Sequence, residues 1–116
     1  MALSEHFHKS EFACHCGCGV ADVDINLVDL LELIRRQLDT PIYVLSGVRC
    51  LKHNRNVKGA LNSQHLIGKA ADIHVPNMST KKLYDFIDKK FNVGGMGLYP
   101  SFIHIDIRSG HARWSL

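Results

Sequence analysis

The sequence predicts an α+β fold, a small and mainly antiparallel sheet packed against two principal helices. Three observations predict it. Leu27, Leu30, Leu31, Ile34 and Leu38 recur at i, i+3, i+4, i+7 spacing, the mark of a helix with one apolar face. Ser79 followed by Leu83, Phe86, Ile87 and Phe91 repeats that pattern further on. Between Ile103 and Arg108 apolar and polar residues alternate strictly, which is the period of a half-buried strand.

Each element follows in order. Residues 1–24 read as an irregular, cysteine-rich lead-in punctuated by Gly17 and Gly19. Asp24 is placed to cap the first helix, its side-chain oxygen accepting from a first-turn N–H. Arg35 and Arg36 fall near its C-terminal end, where the helix dipole favours cations. Pro41 breaks the helix, and Ile42-Tyr43-Val44-Leu45 reads as a short buried strand. Ser46-Gly47 ends that strand and delivers Arg49 just beyond it. Leu51 to Val57 suits one or two helical turns, and Lys58-Gly59-Ala60 leads to His65 on a loop entering the next strand. That strand, Ala70 to Val75, puts Ala70, Asp72 and His74 on one face and Ala71, Ile73 and Val75 on the other. Pro76-Asn77 closes it. Gly94-Gly95 and Gly97 mark a tight turn before the last strand, where Ile103, Ile105 and Ile107 face the core and His104, Asp106 and Arg108 share the opposite face. A chain of 116 residues accommodates this as one domain with one modest core.

Composition removes several classes. With 46% hydrophobic and 22% charged residues and no repeat, the chain is an ordinary globular one rather than a disordered or solenoid one. A formal charge of +3 suits loose attraction to an anionic polymer, but basic and aromatic residues are not interleaved as nucleic-acid binding requires. No apolar stretch approaches the length of a membrane span, so no membrane insertion is expected. Met1 to His8 contain neither a basic n-region nor an apolar h-region, so synthesis in the cytoplasm without a signal peptide is expected. A monomer is expected.

The chemistry concentrates in His65, Asp72 and His104. Among eight histidines chance clusters come easily, and a single one is more often a satisfied polar residue than a ligand. The set argues otherwise. Asp72 interrupts an apolar strand and His104 stands between Ile103 and Ile105, two costly placements that a shared cation would explain. Two imidazoles and a carboxylate are a common ligand set for catalytic zinc, with a fourth tetrahedral position left open. The four cysteines are less readable. Cys14, Cys16 and Cys18 alternate and Cys50 lies distant, which is not the C-x2-C spacing of a zinc knuckle. Three thiolates with Cys50 or His15 would close a second, structural zinc site; free buried thiols or one late-forming disulfide are the ordinary alternatives.

The ordered series Ser46-Gly47-Val48-Arg49, His53-Asn54, Gly59-Ala60, Ser63-x-His65-x2-Gly68-x-Ala70-x-Asp72 and His104-x-Asp106 resembles the zinc D-Ala-D-Ala carboxypeptidases and related peptidoglycan peptidases of the M15 group. The resemblance runs from about Glu11 to Trp114, and Glu11-Phe12-x-Cys14 and Ala112-Arg113-Trp114 are similar to small single-domain members of phages and prophages. It implies that His65, Asp72 and His104 hold zinc and that Arg49 meets the substrate near the scissile bond, a task suited to a guanidinium fork. Ser63 is expected to orient the metal loop and contact substrate, and Gly68 to allow a close backbone approach or an unusual dihedral. Several branches carry an acidic general base where Ser101 stands here, and others a histidine where Phe102 stands. Asp106, on the face of His104, is therefore the first candidate for the base, with a structural carboxylate orienting a ligand or pairing with Arg108 as the alternative. His74, on the face of Asp72, is a further candidate for proton donor or transition-state stabiliser.

The function implied is zinc-dependent hydrolysis of peptidoglycan stem peptides, by a D,D-carboxypeptidase or endopeptidase and in the manner of an endolysin, reaching the wall after release or delivery. The alternative is a zinc-containing module that binds wall peptides without cutting them, which the serine at position 101 keeps open.

Overall fold

The computed structural model describes residues 2–116; Met1, the first residue of the expected lead-in, lies outside the described residues. Three α-helices run over Ile25–Leu38 (α1), Leu51–Asn56 (α2) and Thr80–Lys90 (α3). Five strands run over Tyr43–Ser46 (β1), Ala70–His74 (β2), Gly95–Leu98 (β3), Ile103–Asp106 (β4) and Ala112–Ser115 (β5). They form one sheet in the order β1-β2-β4-β3-β5, antiparallel except for the β3–β5 pair. The expected α+β class and the mainly antiparallel sheet are what the structure contains.

The local signals act as their chemistry dictates. The Asp24 carboxylate accepts from the Asn26 N–H at 2.9 Å and opens α1. Leu27, Val28, Leu31 and Ile34 are fully buried beneath the helix, while Leu30 and Leu38 pack at the margin of the core. Ser79 caps α3 by accepting from the Lys82 N–H at 3.2 Å, and Leu83 and Ile87 reach the core. These helical faces meet Ala71, Ile73, Ile103 and Ile105 from the sheet in a single apolar cluster.

Strand pairing decides what lies on the other face. β2 and β4 pair with Ala71 opposite Ile105 and Ile73 opposite Ile103, which sends those four into the core. The same register sets Asp72 opposite His104 and Ala70 opposite Asp106. On the outer flank, the β1–β2 register shifts between Val44 and Ser46, and the chain leaves the sheet at Gly47.

Three expectations change. The first strand is not buried but lies at the sheet edge, with Tyr43 and Leu45 exposed. Gly94-Gly95 and Gly97 are not a plain turn, because Gly95 and Gly97 belong to β3 and pair with Asp106 and His104. A side chain on Gly95 would collide with the Asp106 carboxylate, and one on Gly97 with the Trp114 indole. Those glycines leave room for neighbouring groups, and so they imitate a turn signal. β5 was not expected at all; it lies parallel to β3 with Trp114 opposite Gly97, tied down by Arg113 ion-pairing with Asp88 at 2.9 Å.

The lead-in is irregular apart from a 3-10 turn at Lys9–Phe12, but it is fastened to the domain. Phe7 and Phe12 are buried in the core. Glu32, a carboxylate on the buried side of α1, accepts from Ser4 Oγ at 2.8 Å, the His6 N–H at 2.8 Å and His6 Nδ1 at 2.6 Å. Burial opposes its charge, yet these hydrogen bonds from His6 and Ser4 prevail and lower its pKa to about 2.

Candidate active site

His65 lies on a 3-10 turn, Gln64–Ile67, in the loop that enters β2. Ser63 Oγ accepts from the His65 N–H at 3.2 Å and opens the turn. Gly68 closes it at φ 71°, and any side chain there would strike the Asp22 carbonyl, so both expected reasons for the glycine hold. The Gly68 carbonyl in turn accepts from the Asp24 N–H at 2.8 Å, tying the turn to the start of α1.

The site is assembled from this turn, from β2 and from β4. His65, Asp72 and His104 are all buried, and one ligand atom from each lies within 4.8 Å of the others. His65 Nε2 stands 3.2 Å from Asp72 Oδ1, and His104 Nδ1 stands 3.1 Å from the same oxygen. The two rings meet edge to face, 5.1 Å between centroids.

The outer nitrogens decide what the inner ones offer. His65 Nδ1 lies 2.7 Å from the Gly47 carbonyl, which can only accept, so Nδ1 carries the proton and Nε2 presents a lone pair. His104 Nε2 lies 2.7 Å from Asp106 Oδ2, which leaves Nδ1 as its inward lone pair. Two lone pairs thus converge on a carboxylate oxygen, an arrangement of acceptors that fits a cation between them. Burial would raise the Asp72 pKa, but its contacts with the His104 and His65 imidazoles hold it at about 2, so it is ionised near neutrality. Burial disfavours a charged His104, yet its contacts with Asp106 and Asp72 outweigh that and push its pKa up. The donor set and its outer hydrogen bonds fit zinc.

Arg49 reaches this site from the turn beyond β1. Its Nη2 lies 3.3 Å from Asp72 Oδ2, and Nη1 donates to Asn54 Oδ1 at 3.2 Å. Asn54 is buried on α2 and donates in turn to the Ala60 carbonyl at 2.9 Å. A cleft of about 740 Å³ opens over the three ligands, bordered by Arg49, residues 57–64, Tyr99, Phe102, Arg108 and Trp114.

The match between chain and family model covers residues 5–106, described as Peptidase M15. The chain belongs to the M15 peptidase family. Members of this family are zinc-dependent peptidases, and the His65, Asp72 and His104 group supplies a site that could hold the metal. The family implies a peptide substrate, and no helix among the described residues is long and apolar enough to cross a membrane. No curated protein matches the chain. The matched span ends at Asp106, so β5 and Trp114 lie beyond it.

Two expected catalytic residues stand differently in this M15 peptidase. Asp106 is fully buried behind His104, and both oxygens are engaged: Oδ2 by His104 and by Arg108 Nη2 at 2.7 Å, Oδ1 by Arg108 Nε at 2.9 Å. Burial opposes its ionisation, but the hydrogen bonds from His104 and Arg108 keep its pKa well below the ordinary carboxylate range. That geometry fits a carboxylate that orients a ligand, not a free proton acceptor. His74 lies at the far end of β2, opposite Tyr43 and stacked on its ring at 5.4 Å, and it does not line the cleft. Ser101 sits exposed in the β3–β4 turn.

Several contributors were not anticipated. The Gly47 carbonyl sets the His65 tautomer, and no sequence signal marks a backbone acceptor. Trp114 lies 5.1 Å from His104, with Arg108 over its ring at 5.3 Å and its Nε1 donating to the Tyr99 hydroxyl at 2.9 Å. Gly97 was the available clue, since a glycine inside a strand marks a close neighbour.

Proposed function

We propose that this M15 peptidase cleaves the stem peptides of bacterial peptidoglycan, as a D,D-carboxypeptidase or an endopeptidase of the phage-lysin kind. The observation that carries the reading is the convergence of His65 Nε2, Asp72 Oδ1 and His104 Nδ1 at the floor of an open cleft. Bound there, zinc would polarise a carbonyl oxygen and acidify a water molecule. Arg49, a fixed cation beside the ligands, suits a substrate carboxylate or carbonyl with paired donors, as a peptide ending in D-Ala would present. Asn54 holds the guanidinium in place, and Ser63 holds the turn that aims His65. Tyr99 and Phe102, stacked at 4.6 Å, offer an apolar wall for short side chains. Such an enzyme acts on the wall after release or delivery.

One observation favours a second reading, a wall-peptide binding module. Asp72 is the one carboxylate residue lining the cleft among the described residues, and Asp106 has no free oxygen to take a proton from water. Mass spectrometry of purified peptidoglycan fragments incubated with the protein, with chelator and with zinc restored, separates the two. Zinc-dependent release of D-Ala or of a new stem fragment supports the peptidase and names its bond. Intact fragments from every wall type, with stoichiometric zinc on the His site, would leave the binding module.

A further inference from the structure

We propose that Cys14, Cys16, Cys18 and Cys50 form a closed tetrathiolate site for a structural zinc ion, separate from the His65 centre. The fold brings Cys50, at the start of α2, against the cysteine-bearing loop of the lead-in, so that all four sulfurs lie within 4.8 Å of one another. Cys16 Sγ is 3.5 Å from Cys14 Sγ and 3.5 Å from Cys50 Sγ. A disulfide needs about 2.05 Å. Four sulfurs each about 2.3 Å from one zinc ion stand about 3.8 Å apart at tetrahedral angles, close to the separations found.

The backbone is shaped to this end. Alternating cysteines on an extended strand would be too far apart to share an ion. Here the chain curls, with Gly17 at φ 83° and Gly19 at φ 89°, and the Cys14 N–H donating to the Val20 carbonyl at 2.7 Å. A side chain on either glycine would meet nothing within 4 Å, so the glycines serve the left-handed turn and not a close contact. Backbone donors are also aimed at sulfur: the Cys50 N–H at Cys14 Sγ and the His53 N–H at Cys50 Sγ, both 3.4 Å. Such donors stabilise thiolate ligands. Cys16 and Cys18 are exposed, so burial as small apolar residues does not account for them.

The ion would act as a staple. The Phe12 carbonyl accepts from the Val48 N–H at 2.8 Å, and Cys14 Sγ accepts from the Cys50 N–H two residues on. Arg49 lies between these ties, and Gly47, whose carbonyl fixes the His65 tautomer, immediately precedes them. Zinc at the cysteines therefore holds the segment that orients one ligand and carries the substrate-facing cation.

The test uses wild-type protein purified under reductant without chelator. The expected result is two zinc ions per chain, four thiols that react with a disulfide reagent only after chelation or denaturation, and thiolate-to-metal charge-transfer absorption on cobalt(II) substitution. A Cys16→Ser, Cys18→Ser variant should lose one ion and keep the other. Four thiols that react freely in native, zinc-loaded protein would overturn the proposal, as would a disulfide seen as a loss of two hydrogens by intact mass. A failure of the His65 centre would look different, leaving one zinc ion with protected thiols.

Discussion

Asp106→Asn is the substitution that best tests how the site is built. Arg108 gives Oδ1 two donors, its backbone N–H at 3.1 Å and Nε at 2.9 Å, so the amide oxygen of asparagine must stay there. The NH2 group then takes the place of Oδ2, facing His104 Nε2 and Arg108 Nη2, each of which now meets a carboxylate oxygen at 2.7 Å. Arg108 Nη2, always a donor, must swing aside. To avoid opposing another donor, His104 must accept at Nε2 and carry its proton on Nδ1, the atom aimed at Asp72. The inward lone pair is lost. Disturbing such an outer contact costs about 10–100-fold in metal affinity, or about 1.4–2.7 kcal/mol. Asparagine is preferred to alanine, because stripping one partner from a buried ion pair costs about 3–5 kcal/mol and confounds the result with unfolding. The assay is competition against a chromophoric zinc chelator, with circular dichroism to verify the fold and nitrogen NMR to read the His104 tautomer. Activity at saturating zinc should recover most of the wild-type rate. Wild-type zinc affinity together with a rate loss of about 10²–10⁴ would refute the reasoning and restore Asp106 as the general base.

Three other outcomes follow from the same contacts. Arg49→Ala should leave zinc affinity within a few-fold and lower kcat/KM by about 10–150-fold, the worth of a charged hydrogen bond of about 1.5–3 kcal/mol, with lysine failing to rescue it; steady-state kinetics beside metal titration checks this. Gly97→Ala should cost about 1–3 kcal/mol by driving a methyl group into the indole of Trp114, and the fluorescence of this single tryptophan reports the displacement alongside a lowered Tm. Glu32 has a folded pKa of about 2 against 4.5 unperturbed, so its stabilisation is complete above pH 4.5 and is lost as pH falls towards 2. That contribution is at most about 3 kcal/mol, and urea midpoints should fall across this window in wild type and more shallowly in Glu32→Gln; parallel curves would disprove it.

Much of the fold was legible because its signals are local. A helical stripe and a period-2 alternation are consequences of backbone geometry, and α1, α3, β2 and β4 appear where those periods lie. β3 was not legible for the opposite reason. Its Gly95 and Gly97 carry no side chain because Asp106 and Trp114 occupy that space, and residues without side chains have no period. β5 is four residues long and partners β3 across the sheet, so nothing near it in sequence announces it. His74 shows the limit of face assignment. Alternation puts it on the side of Asp72, but two residues along a strand is enough to move it from the cleft to the ring of Tyr43.

The sequence by itself determined the chemical inventory of this M15 peptidase: which imidazoles and carboxylate could serve a metal, that Asp72 and His104 fall on strands, and which faces they share with apolar neighbours. Those follow from residue type and covalent geometry alone. Tertiary structure decided everything that depends on which segments meet. The β2–β4 register set Asp72 opposite His104, and the chain leaving β1 brought the Gly47 carbonyl to His65. Arg108 engaged both oxygens of Asp106 beside His104, while the turn into α2 carried Cys50 to three cysteines far from it in sequence. A hydrogen bond is made between groups a few ångströms apart, and that distance is fixed by non-local packing rather than by spacing along the chain.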